Sequence, residues 1–265
     1  HCTSNVGFLP FMVSCGDGKG LSGRKNGGLV QEIEFSGKES SQIVSGFLMM
    51  LPLMEKDSTL TITEPTSIPY IDLTLRVLGQ FGIVVGQEND LPRKIVYRIP
   101  GGQQYTPARI YLDSDWSSAA NFAVAGALTE GVILKNMPLE SAQADEYILH
   151  LLAQSGYKVE KDAEGDFHNI TIMPSPDAQS TAAAELAEPR IFSLHNCPDL
   201  FPIAAVLACL SNGRTIFEGV ERLAQKESNR AETVLSELTK LGFDIQINGN
   251  SMYICGNGKT ACSPH

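Results

Sequence analysis

The sequence lacks a hydrophobic run long enough to cross a membrane. A spanning helix needs about 20 consecutive apolar residues, whereas the longest apolar stretch of this 265-residue chain, Phe47–Met54, is short and contains Pro52. A basic segment followed by an apolar one, the pattern of a secretory signal, does not open the chain either. We therefore expect a soluble, cytoplasmic protein that has no membrane partner.

Basic residues and paired cysteine motifs are also scarce. Lys and Arg number 20 against 30 Asp and Glu, which gives a net charge of -10. Because binding to a phosphate backbone requires a basic face, nucleic acid is not an expected partner, although small anions need only a few local cations. The six cysteines form no C-x-x-C pair and no zinc-like spacing, so we expect reduced thiols.

The sequence does contain a repeat. Segments that begin at Glu32, Arg109 and Arg190 share one pattern: a short alternating strand, a polar cluster, an apolar helix, a second strand, a second helix and two further strands. Each second helix ends at a glycine, the residue that best tolerates the left-handed conformation after a helix. These glycines are Gly82, Gly156 and Gly242. The sequence thus predicts an α/β fold built from βαβαββ repeats.

A stretch rich in proline and glycine, Pro100–Pro107, predicts a boundary between two domains. Residues 1–107 would form a partial N-terminal-type domain with one complete repeat and a remnant. Residues 108–265 would form a partial C-terminal-type domain with two repeats. Because the chain begins at His1 and its last segment, Gly256–His265, reads as a loop, we expect a piece of a longer protein.

Polar clusters at predicted helix starts are the candidate ligand-binding groups. Free N–H groups and partial positive charge at a helix N-terminus attract anions. In the first repeat, Ser40, Ser41 and Gln42 open one helix, and Ser67 and Tyr70 open the next. Two interpretations remain open for these serines, namely a phosphate site and plain N-capping.

The third repeat carries charges at its helix starts. Asp199 is either a helix cap or a general base in a cleft. Lys226 and Arg230 flank Glu227 at i and i+4, where like charges repel and where the helix dipole disfavours cations. An anion docked between them would explain the pattern; a solvated charged turn is the alternative. The buried face of the following helix is predicted to be Ala231, Val234, Leu235, Leu238 and Leu241.

The matching clusters of the second repeat contain fewer candidate ligands. Asp115 and Trp116 open its first helix and are predicted to be structural. The start of its second helix, at residues 141–146, carries no cation. We therefore expect the second repeat to contribute little to a binding site.

Taken in order, these clusters resemble the motifs of the EPSP synthase (3-phosphoshikimate 1-carboxyvinyltransferase) family. The motifs that carry the resemblance are Ser40-Ser41-Gln42, Ser67-Ile68-Pro69-Tyr70-Ile71-Asp72, Asp115-Trp116-Ser117-Ser118-Ala119, Pro198-Asp199 and Lys226-Glu227-Ser228-Asn229-Arg230. The sequence departs from the family pattern at Asn229, which replaces the usual Asp, at Ile68, where Lys is common, and at Arg222, which occupies a position that often carries Asn near the substrate.

The resemblance implies an inside-out α/β barrel of two domains, both incomplete here. It implies a monomeric enzyme without metal or organic cofactor, whose small-molecule substrates are shikimate 3-phosphate and phosphoenolpyruvate. The enolpyruvyl group would pass to the 5-hydroxyl of shikimate 3-phosphate with release of phosphate, in aromatic amino-acid biosynthesis.

The resemblance also assigns roles to individual residues. Shikimate 3-phosphate would be held by Ser40, Ser41, Gln42, Ser67, Tyr70, Asp199 and Lys226. Phosphoenolpyruvate would be held by Gln42 and Arg230. The catalytic residues would be Asp199, Lys226 and Glu227, with Asp199 accepting the proton of the attacking hydroxyl and Glu227 assisting proton transfer to the methylene carbon.

Two alternative functions remain. The family's N-x-G-T loop and D-H-R motif have no match in this sequence, so the chain as given would be an inactive fragment that at most binds shikimate 3-phosphate. The other alternative is a relative of UDP-N-acetylglucosamine enolpyruvyl transferase, which shares the fold but lacks the K-E-S-x-R pattern and uses a cysteine loop that is not found here.

Overall fold

A computed structural model describes the chain at residues 2–3, 12–13, 30–38, 40–90, 93–110, 112–138, 141–164, 167–175, 188–224 and 228–257. Its α-helices are α1 (Ser41–Met50), α2 (Ile68–Gln80), α3 (Trp116–Leu128), α4 (Ile148–Gln154), α5 (Phe201–Leu210) and α6 (Arg230–Lys240). Short 3-10 turns lie at Leu51–Leu53, Ala144–Tyr147, Pro198–Leu200 and Val220–Leu223.

The strands before the second predicted repeat are β1 (Cys2–Thr3), β2 (Met12–Val13), β3 (Val30–Ser36), β4 (Asp57–Thr63), β5 (Gly86–Asp90) and β6 (Lys94–Ile99). The strands from the second predicted repeat onward are β7 (Val132–Pro138), β8 (Lys158–Glu164), β9 (Phe167–Met173), β10 (Arg190–Ser193), β11 (Asn212–Glu218), β12 (Asp244–Asn248) and β13 (Ser251–Asn257). The fold is therefore a mixed α/β fold.

Two four-stranded sheets have the same topology. In the first unit the order is β3-β4-β6-β5, and in the third unit it is β10-β11-β13-β12. In both, the first pair is parallel and the other two pairs are antiparallel. A parallel pair requires a crossover connection, which α1 and α5 supply. The βαβαββ pattern predicted for these two repeats is confirmed.

The second unit differs from the prediction, because its sheet has three strands in the order β7-β9-β8. The strand predicted to start at Arg109 is wrong: described residues 101–110 and 112–115 contain no strand, and Leu112 is 84% exposed. The neighbouring strand β7 is irregular near Asn136, which has a φ of 57° and lies at a shift in register. Instead of a ladder, a side-chain bond from Ser114 Oγ to the Asn136 carbonyl oxygen (2.8 Å) holds the segment.

The predicted glycine stops are confirmed. Gly82, Gly156 and Gly242 follow the second helices of the three units with φ of 81°, 88° and 86°. These angles lie in the left-handed region, where a residue with a Cβ is strained. The three glycines therefore reverse the chain at equivalent positions and let each unit close with two antiparallel strands.

The buried hydrophobic residues form two clusters. One contains residues between 44 and 99, including Leu48, Ile62 and Tyr97. The other contains residues between 116 and 254, including Trp116 and Phe201, both fully buried. The second and third units thus share one core, whereas the first unit has its own. Within the described part of the chain, none of the helices is long and apolar enough to cross a membrane.

Candidate functional site

The start of α1 carries the first predicted cluster. Ser40 is the N-cap, and its Oγ accepts a hydrogen bond from the Gln42 backbone N–H at 3.1 Å. The N-capping interpretation is therefore confirmed for Ser40. Gln42 is exposed and Ser41 is half-buried, so both lie on an accessible first turn.

The start of α2 has a different geometry. Ser67 precedes the helix in the left-handed conformation (φ 50°, ψ 43°) and makes no side-chain cap. N-capping by the Ser67 side chain is therefore wrong. The side chain is buried, and its Oγ accepts a hydrogen bond from Arg222 Nη2 at 3.0 Å. Since Arg222 belongs to the third unit, Ser67 lies at a contact between distant parts of the chain.

Tyr70, in the first turn of α2, makes a second contact between units. Its hydroxyl donates to Asp145 Oδ1 at 3.0 Å, and Ser117 Oγ donates to Asp145 Oδ2 at 2.5 Å. Asp145 is fully buried, and its burial raises the pKa of its carboxyl, although the two hydrogen bonds oppose that shift. Burial, followed by the negative charge of Asp145, raises the pKa of Tyr70 well above its usual range.

Asp145 was missed by the sequence reasoning, which expected little from residues 141–146. It lies in the 3-10 turn Ala144–Tyr147, a short acidic stretch that looks solvent-exposed in the sequence. Its partners Tyr70 and Ser117 are 75 and 28 residues away in the sequence, so no local sequence pattern indicates that the Asp145 side chain is buried. The usable signal is its place at a second-helix start, the same place that Ser67 and Tyr70 occupy in the first repeat.

Asp199 and Arg230 form an ion pair between Asp199 Oδ1 and Arg230 Nη1. Asp199 lies in the 3-10 turn before α5, and Arg230 is the first residue of α6. Their side chains are 41% and 27% exposed, respectively. Asn229, which replaces the usual Asp of the family motif, is the N-cap of α6 and accepts from the Glu232 backbone N–H at 3.3 Å. Lys226 and Glu227 lie outside the described residues.

Electrostatic coupling places several of these groups close together. Burial and then the charges of Asp145 and Asp199 raise the pKa of the Cys197 thiol to about 12. Burial lowers the pKa of Arg222, and the charge of Asp199 opposes this shift. Asp199 also contributes to the raised pKa of Tyr70. The negative charge of Asp199 therefore acts on Tyr70 at the start of α2 as well as on Arg230.

The starts of α1 and α2 are connected within the first unit. Ser45 Oγ in α1 and Thr74 Oγ1 in α2 lie 2.8 Å apart in a hydrogen bond, and Thr74 Oγ1 donates to the Tyr70 carbonyl oxygen at 3.0 Å. Ser45 is the fifth residue of α1, and Thr74 is the seventh residue of α2. The contact therefore joins the two helices within about two turns of the clusters at Ser40 and Ser67.

Asp115 is structural, as the sequence predicts. It is the N-cap of α3 and accepts from the backbone N–H groups of Ser117 and Ser118 at 3.0 and 3.2 Å. Its hydrogen bond with the Ser118 hydroxyl lowers the pKa of its carboxyl. Trp116 is fully buried beside it, and its backbone N–H donates to Gln143 Oε1 at 2.9 Å.

A cleft of about 610 Å³ lies elsewhere, at the far end of α2. It is lined by Arg76, Gln80, Ala108, Arg109, Ile110, Asp113 and Phe167. None of the described residues predicted to bind substrate lines it. In the part of the chain that the structure describes, no group of three or more His, Cys, Asp or Glu side chains could hold a metal ion.

Comparison with known proteins identifies the fold first. The chain resembles the enolpyruvyl transferase NikO from Streptomyces tendae in fold, with a TM-score of 0.52 at 17% identity over 85% of this chain and 51% of that one. It also matches an EPSP synthase structure from Acinetobacter baumannii, with a TM-score of 0.63 at 27% identity over 86% of this chain and 49% of that one.

The family follows from the sequence comparison. Residues 17–263 match the profile described as EPSP synthase (3-phosphoshikimate 1-carboxyvinyltransferase). A 3-phosphoshikimate 1-carboxyvinyltransferase from Methanococcus maripaludis (strain C6) is 31% identical over 96% of this chain and 54% of its own length. Another, from Clostridium botulinum (strain Alaska E43), is 36% identical over 85% of this chain and 48% of its own length. The chain belongs to the EPSP synthase family, and it spans about half the length of these relatives.

Proposed function

We propose that this chain carries part of the active site of a 3-phosphoshikimate 1-carboxyvinyltransferase. The enzyme transfers the enolpyruvyl group of phosphoenolpyruvate to the 5-hydroxyl of shikimate 3-phosphate and releases phosphate, in aromatic amino-acid biosynthesis. The observation that carries the proposal is the convergence of Ser67 and Tyr70 from one unit with Asp199, Arg222 and Arg230 from another.

The proposed chemistry requires a base, cations and a polar surface for phosphate. The Asp199 carboxylate accepts the proton of the 5-hydroxyl while the hydroxyl oxygen bonds to C2 of phosphoenolpyruvate. Glu227 assists protonation of the methylene carbon, which gives a tetrahedral adduct. Phosphate then leaves as the C–O bond to it breaks and the methyl group returns its proton. Lys226 contacts the shikimate ring.

Binding of the two anionic substrates is assigned to the helix starts. Ser40, Ser41 and Ser67 hold the phosphate of shikimate 3-phosphate, and Tyr70 contacts the same substrate. Gln42 touches both substrates. The partly exposed guanidinium of Arg230 exchanges its ion pair with Asp199 for one with phosphoenolpyruvate, which frees the base as the second substrate enters.

The architecture proposed for the whole enzyme is an inside-out α/β barrel of two domains. The chain would contribute a partial N-terminal-type domain at 1–107 and a partial C-terminal-type domain at 108–265. The separate core of residues 44–99 supports that division. A monomeric, cytoplasmic enzyme is part of the same proposal.

The test is phosphate release from phosphoenolpyruvate plus shikimate 3-phosphate, measured for this chain and for a chain of full family length. Turnover in the longer chain supports the proposal. If only the longer chain turns over while this one binds shikimate 3-phosphate, the chain is an incomplete enzyme. No turnover in either chain rejects the proposed reaction.

A further inference from the structure

The cleft at the far end of α2 is formed by segments of the first two units. Its volume is about 610 Å³, and clefts of about 300–1,000 Å³ commonly hold small molecules. Arg76 and Gln80 come from α2, Arg109 and Asp113 from the segment between β6 and α3, and Phe167 from the start of β9. The cleft contains none of the described residues that are assigned to the proposed reaction.

The cleft brings two positive charges together in an acidic chain. Arg76 and Arg109 both line it, although the net charge of the whole chain is -10. Both side chains are exposed, and neither forms a hydrogen bond or an ion pair with any other residue that the structure describes. Because a concave surface strengthens the field of like charges, an anionic group is attracted to this part of the cleft. Each guanidinium can bind a carboxylate through two parallel hydrogen bonds.

Asp113 adds a negative charge to the same cleft. Its carboxylate is exposed and forms no ion pair with Arg76 or Arg109 within the described part of the chain. A simple anion such as phosphate would be attracted by the arginines but repelled by this carboxylate. A ligand that has both a carboxylate and an ammonium group would find a partner for each of its charges. The lining therefore favours a zwitterion over a simple anion.

Apolar groups complete the lining of the cleft. Phe167 is half-buried, and its ring contacts no other aromatic ring among the described residues. Ala108 and Ile110 contribute further apolar surface. Gln80, one helical turn from Arg76, has an amide that can donate to a carboxylate or accept from an ammonium group. Because aromatic rings pack favourably against each other beyond the gain from burial, an aromatic side chain suits this surface.

We propose that this cleft binds a free α-amino acid with an aromatic side chain. Arg76 and Arg109 hold the carboxylate of the amino acid, Asp113 holds its ammonium group, and its ring packs against Phe167. The cleft is thus a second ligand site, and its existence does not depend on the proposed function.

The experiment is calorimetric titration of this chain with phenylalanine and with three probes that each lack one of its groups. The probe 3-phenylpropionate lacks the ammonium group, phenethylamine lacks the carboxylate, and alanine lacks the ring. We expect each probe to bind about 10- to 100-fold more weakly than phenylalanine, through the loss of a charge-assisted hydrogen bond or of a buried ring.

Two variants assign the groups of the ligand to residues. Arg109→Gln should weaken binding of phenylalanine and 3-phenylpropionate by about 10-fold but should not weaken binding of phenethylamine, which has no carboxylate. Asp113→Asn should weaken binding of phenylalanine and phenethylamine but not of 3-phenylpropionate, which has no ammonium group. The matched control is Arg214→Gln, which removes the same charge from an exposed position on β11 and should leave every affinity unchanged. Thermal unfolding of each variant without ligand checks that the folded population is the same.

Several outcomes would overturn the proposal. If 3-phenylpropionate binds the parent chain as tightly as phenylalanine does, the site is one for simple anions and not for amino acids. If alanine binds as tightly as phenylalanine, the ring makes no contribution and the aromatic specificity is wrong. If the parent chain does not bind phenylalanine, or if Arg214→Gln weakens binding as much as Arg109→Gln does, the cleft is not the site. None of these results bears on phosphate release, which tests the proposed function separately.

Discussion

Asp145 and Asp199 occupy the same local position in opposite surroundings. Each is the second residue of a 3-10 turn that leads into an α-helix. Asp145 is fully buried and accepts hydrogen bonds from Tyr70 and Ser117, whereas the Asp199 side chain is 41% exposed and pairs with Arg230. The buried Asp145 carboxylate joins the first and second units through hydrogen bonds, whereas the exposed Asp199 carboxylate is accessible to a ligand.

The largest expected effect is on catalysis at the exposed carboxylate. Under the proposed mechanism, Asp199→Asn should lower the rate of phosphate release by about 10²- to 10⁴-fold, because it removes the base. The free energy of unfolding should change by less than about 1 kcal/mol, since a half-exposed ion pair contributes little. Assays of phosphate release measure the rate, and urea unfolding measures the free energy of unfolding. A large loss of stability would contradict the assignment of Asp199 as an accessible base.

The next effect is on stability at the buried carboxylate. Asp145→Ala should lower the free energy of unfolding by about 2–3 kcal/mol, because the hydroxyls of Tyr70 and Ser117 lose their acceptor. Urea unfolding beside Asp199→Ala checks this. Equal stability of the two alanine variants would show that Asp145 does not stabilise the fold more than Asp199 does.

Two tyrosines, the partly buried Tyr70 and the fully buried Tyr97, sharpen the comparison further. Tyr70→Phe should cost about 1–2 kcal/mol of unfolding free energy, because Asp145 loses a donor. Tyr97→Phe is the matched control: the Tyr97 hydroxyl is buried and has no hydrogen-bond partner among the described residues, so its removal should be neutral or stabilising. Equal destabilisation by both substitutions would show that the bond to Asp145 contributes nothing.

The smallest effect is a difference in pH dependence between two carboxylates. Burial raises the pKa of Asp145 above 3.8, so its contribution to stability is greatest at low pH and declines as the pH rises through the raised pKa. The bond with Ser118 lowers the pKa of Asp115, so its contribution is present above 3.8 and is lost as the pH falls through the lowered pKa.

Urea unfolding from about pH 3 to about pH 7 tests both signs by comparing the parent chain with Asp145→Asn and Asp115→Asn. The stability difference between parent and variant should fall with rising pH for Asp145 and should rise for Asp115. The same slope for both variants would refute the opposite shifts.

Local signals predicted much of the fold. Glycine stops such as Gly82 and the helix start at Ser40 depend on backbone preferences that the residue itself sets. The predicted buried face of α6 is correct at Ala231, Val234 and Leu238, which are buried. It is wrong at Leu241, which is 51% exposed because the helix ends at Lys240 and the helical periodicity stops there.

Contacts between distant segments account for what the sequence did not predict. In the second unit, described residues 101–110 and 112–115 form no strand and β7 is irregular beside Asn136, and the alternating residues after Arg109 reveal neither property. The hydrogen bond between Tyr70 and the buried Asp145 joins residues 75 positions apart. The bond between Ser67 and Arg222 joins residues 155 positions apart. The motif series did predict which helix starts carry polar groups, but their partners depend on the tertiary fold.

The attachment of α2 has a mechanical consequence. Its hydrogen bonds to the other units among the described residues, at Ser67 and Tyr70, lie at its N-terminal end, and the whole helix is 13 residues, or about 20 Å, long. Because Thr74 bonds to Ser45 of α1, and Ile71 and Leu78 are buried in the core of the first unit, α1 and α2 would turn together about this end. A rotation of about 10° there would move Gln80, at the opposite end, by about 3 Å. Small adjustments around the Ser67 end would therefore be amplified into opening or narrowing of the cleft that Arg76 and Gln80 line.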